Sequence, residues 1–167
     1  IAKCTDAAKR YGYDSLKFER GDIAEYDANA PADMVVTLHA CDTATDYALH
    51  NAVCRGARMI LSVPCCQHEL NGQIASDKLK LITRYGIIKE RFAALMTDAI
   101  RANLLESCGY KTQVLEFVDL SHTPKNLLIR AIKKRPALDN AGRIALDEAK
   151  ALMEEFSLEP TLYSLLY

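Results

Sequence analysis

Asp33-Met34-Val35-Val36-Thr37-Leu38-His39-Ala40-Cys41-Asp42 and Arg58-Met59-Ile60-Leu61-Ser62-Val63-Pro64-Cys65-Cys66-Gln67-His68-Glu69-Leu70 decide the fold. Each is an apolar run of strand length that ends in a cluster of reactive side chains. Thr43 to Arg55, between them, has the length of one helix, so the stretch reads as strand, helix, strand. A crossover of this kind joins parallel strands. It sets both clusters at the same sheet edge, which is where open α/β sheets bind ligands.

Working outward, Ala44, Tyr47, Ala48, Asn51 and Ala52 recur at helical spacing, with Asp42 or Thr43 as N-cap and Gly56 past the end. Upstream, Ile1 to Tyr11 reads as an amphipathic helix with Ile1, Cys4 and Ala8 on one face. Leu16-Lys17-Phe18-Glu19 then alternates like a short strand before Gly21-Asp22-Ile23 turns away. Downstream, Leu81, Tyr85, Ile88, Phe92, Leu95, Ala99 and Ala102 mark the expected core face of a helical stretch from Ile74 to Cys108, divided near Gly86. Gly109 ends that stretch. Thr112 to Val118 and Asn126 to Ile132 read as an antiparallel pair joined by a loop holding His122, Pro124 and Lys125, and Asn140 to Phe156 is a last amphipathic helix. The expected fold is α/β, one domain over residues 1–167, with a mostly parallel sheet ending in an antiparallel hairpin.

With 167 residues, half of them hydrophobic and 26% charged, the chain has the material of one domain with a real core. No run reaches the roughly 18 apolar residues of a membrane span, and the N-terminus lacks a secretory pattern, so the expectation is a cytoplasmic protein with no membrane partner. A net charge of −1 gives no global attraction to nucleic acid. Lys125, Arg130, Lys133, Lys134 and Arg135 nevertheless form a basic run free of acids, either a solvated strand end or a phosphate contact. The six cysteines are scattered through helix and strand patterns, which predicts reduced thiols and no structural disulfide. Ile1 already lies within a helical pattern, and the expectation is that sequence upstream has been removed.

An α/β sheet that finishes in a hairpin, with chemistry at its strand ends, resembles the Rossmann-like class I S-adenosylmethionine-dependent methyltransferases. Leu38-His39-Ala40-Cys41-Asp42 and Val63-Pro64-Cys65-Cys66-Gln67-His68-Glu69-Leu70 are similar to the "LHxCG" and "CCxH" segments of a branch that includes the tRNA 2′-O-methyltransferases. The resemblance implies S-adenosylmethionine as cofactor and RNA as substrate. It sets Asp22 against the adenine amino group, which a carboxylate can accept, gives Ile23 as a wall for the ring, and places His39 and Ala40 beside the cofactor. One departure is serious: the Gly-rich loop after the first strand and the acid after the second are absent. In a sheet of order 3-2-1-4-5-7-6 two middle strands would be missing. The chain is therefore expected to be the N-terminally truncated, C-terminal part of such a domain, inactive alone, with exposed apolar edges and a tendency to form a homodimer through the sheet edge.

Methyl transfer from a sulfonium depends mainly on near-attack alignment and needs a base only where the acceptor loses a proton. His39 and Asp42 are the candidate base or orienting groups, although a hydrogen-bonded histidine at a strand end and a helix cap have the same residue types. Cys65, Cys66 and His68, with Cys41 and His39 nearby, carry the ligand chemistry of zinc. Adjacent cysteines on an extended chain point to opposite faces, however, and no C-x-x-C pair is present, so no metal is expected. Cys65, Cys66 and His68 then belong to a compact turn closing the substrate cleft, with Lys125 and Asn126 meeting a phosphate or a base at the same sheet end. Glu90 or Asp98 facing inward would position the cleft helices. The alternatives are a methyltransferase acting on protein or a small molecule, and a non-catalytic module that binds a partner through its sheet edge.

Overall fold

The structure, a computed structural model, describes residues 1–26, 30–119, 121–123 and 125–167, so Pro124 of the expected loop lies outside the described residues. In chain order the elements are α1 (Ala2–Arg10), β1 (Met34–Leu38), α2 (Thr43–Cys54), β2 (Met59–Val63), α3 (His68–Gln73), α4 (Lys80–Thr83), α5 (Gly86–Ser107), β3 (Tyr110–Glu116), β4 (Leu127–Lys133), α6 (Asn140–Phe156) and α7 (Thr161–Leu166). Among the described residues no helix is long and apolar enough to cross a membrane.

The strand–helix–strand reading of the opening stretch holds. β1 and β2 pair in parallel, from Met34 opposite Met59 to Leu38 opposite Val63. β3 and β4 pair antiparallel, as their short link requires, and β4 inserts between β2 and β3 to give the order β1-β2-β4-β3. Three strands therefore run one way and β4 alone is reversed. The antiparallel hairpin at the end of the sheet is as expected, and the sheet as a whole is mixed, because a reversed strand in the interior makes both of its ladders antiparallel. β1 stands at one edge of the sheet formed by the described residues.

One face of the sheet carries the core. Ile60, Ser62, Ile129, Ala131 and Tyr110 are buried beneath Ala93, Met96, Ile100, Leu104 and Leu105 of α5, joined by Leu49 and Ala52 of α2, Leu146 and Met153 of α6, and Leu162 of α7. Polar groups on this face are paired: the Thr37 hydroxyl donates to Ser62 Oγ at 2.7 Å, and the Tyr110 hydroxyl donates to the Ala57 carbonyl at 2.8 Å. On the opposite face Met34, Val36 and Leu38 are exposed.

Three expectations are corrected here. Leu16 to Glu19 forms no strand, because alternation makes a strand only where a neighbour supplies the ladder, and among the described residues none borders the outer edge of β1. In α1 only Ala8 is buried, while Ile1 and Cys4 are exposed. The stripe expected to be core on the long helical stretch is largely solvent-facing: Leu81, Tyr85, Ile88, Leu95 and Ala99 are exposed. The buried stripe of α5 is Ala93, Met96, Thr97, Ile100, Arg101, Leu104 and Leu105, one position along from Phe92, Leu95 and Ala99. The helix is apolar on two sides, and periodicity alone does not say which side meets the sheet. Its division at Gly86 is as expected.

Candidate functional site

Asp42 ties the two strand ends together. Its backbone sits at φ 54°, in the left-handed region, and this turns its side chain away from the helix that follows. Asp42 occupies the N-cap position of α2 without capping it. The carboxylate instead accepts the backbone N–H of His68 at 2.9 Å and of Glu69 at 3.0 Å, capping the first turn of α3. Its own N–H donates to the Cys66 carbonyl at 3.1 Å. A local cap was the simplest reading of Asp42; the tertiary fold gives the cap to a helix across the sheet edge.

Behind this junction lies a buried ion cluster. Arg101, only 2% exposed, donates in a fork to Asp46, from Nε to Oδ1 at 2.9 Å and from Nη2 to Oδ2 at 2.7 Å. It also donates to Asp98 Oδ1 at 3.2 Å and to the Asp42 carbonyl at 3.0 Å. Gln67 Nε2 completes the cluster on Asp98 Oδ2 at 3.0 Å. One guanidinium thus holds α2, α5 and both strand-end loops. Asp46 fills its fork, leaving Asp98 the surplus carboxylate. Burial pushes the Asp98 pKa up to about 6, against the partial opposing pull of Arg101 and Gln67.

Beside the cluster a cleft of about 420 Å³ opens at the end of the sheet where β2 finishes and β4 begins. Pro64, Ile87, Leu95 and Leu127 form apolar walls; Gln67, Glu90, Arg91, Asp98 and Lys125 supply the polar groups. A mostly apolar pocket with a few convergent polar groups is the ordinary form of a small-ligand site. Ile87 and Leu95 explain the second apolar side of α5: they line this cleft. They are cleft-lining positions that periodicity did not identify, and the signal available was a helix with more apolar surface than one core face needs.

Three thiols meet next to the cleft. The sulfur atoms of Cys41, Cys65 and Cys66 all lie within 4.8 Å of one another, and Cys41 Sγ is 3.0 Å from Cys65 Sγ. The chain at Cys65-Cys66 is not extended strand, so the expected divergence of adjacent side chains does not occur. Burial, with hydrogen bonds to Cys41 and Cys66 after it, pushes the Cys65 thiol up to about 12. Lys125 Nζ donates to Cys66 Sγ at 3.7 Å.

The remaining expected site residues lie apart from this cluster, most of them exposed or half-buried. His39 is exposed at the end of β1 with φ 59°, and the Ala40 carbonyl accepts from the Thr45 hydroxyl. Asp22 is exposed and accepts the Ala24 N–H at 2.9 Å, and the carbonyl of half-buried Ile23 accepts from Asn51 Nδ2 at 3.0 Å. His68 is exposed at the start of α3. Asn126 is buried, with its amide on the Val118 carbonyl at 3.1 Å, and closes the base of the hairpin instead of facing a ligand. The basic run is largely engaged internally: Arg130 on Gln113, Lys133 on the Cys108 carbonyl, and Arg135 on Asp139 and Glu106.

A mixed α/β sheet with a polar-edged cleft at its strand ends is the class of structure present. Residues 1–73 match the model of a family described as a methyltransferase domain, a span that takes in both strand ends and α3. The match supports a methyltransferase domain, and with it methyl transfer as the general activity. No curated protein and no solved structure matches the chain.

Proposed function

We propose that residues 1–167 form the acceptor-binding side of a Rossmann-like class I methyltransferase domain that uses S-adenosylmethionine and methylates RNA. The observation that carries this reading is the order β1-β2-β4-β3 with β4 alone reversed, in a chain whose first part matches a methyltransferase-domain family. It is the arrangement of the last four strands, 4-5-7-6, of the sheet that the sequence resembles.

On this reading Asp22 accepts from the adenine amino group, Ile23 meets the ring, and His39 with Ala40 closes the end of β1 beside the cofactor. An exposed carboxylate and a half-buried aliphatic side chain in one turn fit that task. The bound cofactor supplies an electrophilic methyl group on a sulfonium. This chain contributes the adenine side of the cofactor site. In the cleft, Ile87, Leu95 and Leu127 pack against a nucleoside, and exposed Arg91 and Lys125 meet its phosphates. His39 takes the proton where the acceptor is a hydroxyl. Asp42 positions the loops through the two backbone donors on its Oδ1.

Calorimetric titration with S-adenosylmethionine, on this chain and on a form extended upstream, tests the cofactor. Transfer of labelled methyl to an RNA fraction tests the substrate. The extended form is expected to bind the cofactor and label RNA, with Lys125→Ala and Arg91→Ala raising KM for RNA while leaving cofactor binding unchanged. Label in protein or small molecules instead would replace RNA as the acceptor; binding by neither form would favour the non-catalytic module.

A further inference from the structure

We propose that Cys41, Cys65 and Cys66 form a zinc site of three thiolates whose fourth position is open to water or to a soft ligand such as a thiol. Zinc bonds thiolate sulfur at about 2.3 Å, and tetrahedral angles then set the sulfur atoms about 3.8 Å apart. Here Cys41 Sγ and Cys65 Sγ are 3.0 Å apart and all three sulfurs lie within 4.8 Å of one another, limits that bracket that spacing. Shifts of less than an ångström bring all three onto one ion.

The loops that carry the thiols are held by bonds that involve no sulfur. Asp42 N–H donates to the Cys66 carbonyl, the Asp42 carboxylate holds His68 and Glu69, and Arg101 holds the Asp42 carbonyl from below. Preset loops of this kind keep the ligating side chains of a metal in place. Cys65 and Cys66 are half-buried while Cys41 is exposed, which suits a site with an open coordination position better than a closed structural one. Sulfur donors select zinc over magnesium or calcium. Three thiolates around Zn²⁺ leave one negative charge, and the Lys125 ammonium beside Cys66 offsets it. Binding releases the three thiol protons to the buffer. The other cysteines stand apart: Cys54 is paired with His50, Cys4 is on α1 and Cys108 is buried.

This inference does not rest on the proposed transfer reaction, and it is tested without cofactor or acceptor. The full chain, kept reduced and oxygen-free, is titrated with Zn²⁺ against a chromophoric chelator and separately with Co²⁺. One equivalent is expected to bind, and the Co²⁺ form should show tetrahedral d–d bands with charge-transfer intensity for three thiolates. Cys41→Ser, Cys65→Ser and Cys66→Ser should each weaken zinc binding by at least about 100-fold, the upper end of what losing an outer-shell partner costs. Cys4→Ser and Cys54→Ser should leave it unchanged. Circular dichroism monitors folding, and the wild-type Co²⁺ spectrum reports the ligand set even where a variant does not fold. No bound zinc, an octahedral Co²⁺ spectrum, or tight binding that survives in folded Cys41→Ser would overturn the site.

Discussion

The Asp42 carboxylate accepts the backbone N–H of His68 at 2.9 Å across a separation of 26 residues, joining the reactive clusters at the ends of β1 and β2. With Glu69 on the same oxygen, it satisfies two N–H groups that α3 cannot satisfy itself. Asp42→Ala should therefore lower stability by about 1–2 kcal/mol, read as a lower urea midpoint. Asp42→Asn keeps an acceptor oxygen and should retain most of that stability. Unchanged stability with total loss of methyl transfer in the Asn variant would make Asp42 a proton acceptor instead.

Arg101 neutralises Asp46 and half-compensates Asp98 inside the protein. Arg101→Met strands two buried carboxylates and should cost about 3–5 kcal/mol. Combining it with Asp46→Asn should recover part of the loss, since the two groups form one unit, and a double-mutant cycle in denaturant measures the coupling. A purely additive cycle would contradict the fork geometry.

Asp98, raised to about 6 from an ordinary 3.8, holds its proton more tightly folded than unfolded. Its contribution is complete below about pH 4 and is lost as pH rises through 6, a decline on the order of 3 kcal/mol. Asp98→Asn should flatten this part of the stability profile and be no less stable than the wild type at pH 7. An equally steep decline in the variant would assign the titration to another group.

Gly109 turns α5 into β3 at φ 89°, and a Cβ there would stand 2.2 Å from the Arg135 carbonyl oxygen. Gly12 has a similar φ of 76° but open space around it. Gly109→Ala should be destabilising by more than about 3 kcal/mol, because backbone must move, whereas Gly12→Ala should cost about 1 kcal/mol from its dihedral alone. Comparable midpoints for the two variants would show that the Arg135 segment yields easily.

The sequence by itself determined the local elements in this protein. Met34–Leu38, Thr43–Cys54, Met59–Val63 and Asn140–Phe156 follow from runs and periods that each segment carries alone. Their order also implied a crossover and one active sheet edge. Tertiary structure decided everything that depends on a distant partner. Leu16–Glu19 has strand alternation but no neighbour among the described residues, so it forms no ladder. The two apolar sides of α5 were told apart only when the sheet took one and the cleft kept the other. Asp42 read as a local cap, and nothing in the sequence joined it to Asp46, Asp98 and Arg101 until packing brought them together, because an ion pair 55 residues apart, as between Asp46 and Arg101, leaves no period in the sequence. Cys41 met Cys65 and Cys66 for the same reason: the parallel pairing of β1 with β2 puts their ends side by side, which brings the three thiols within 4.8 Å of one another.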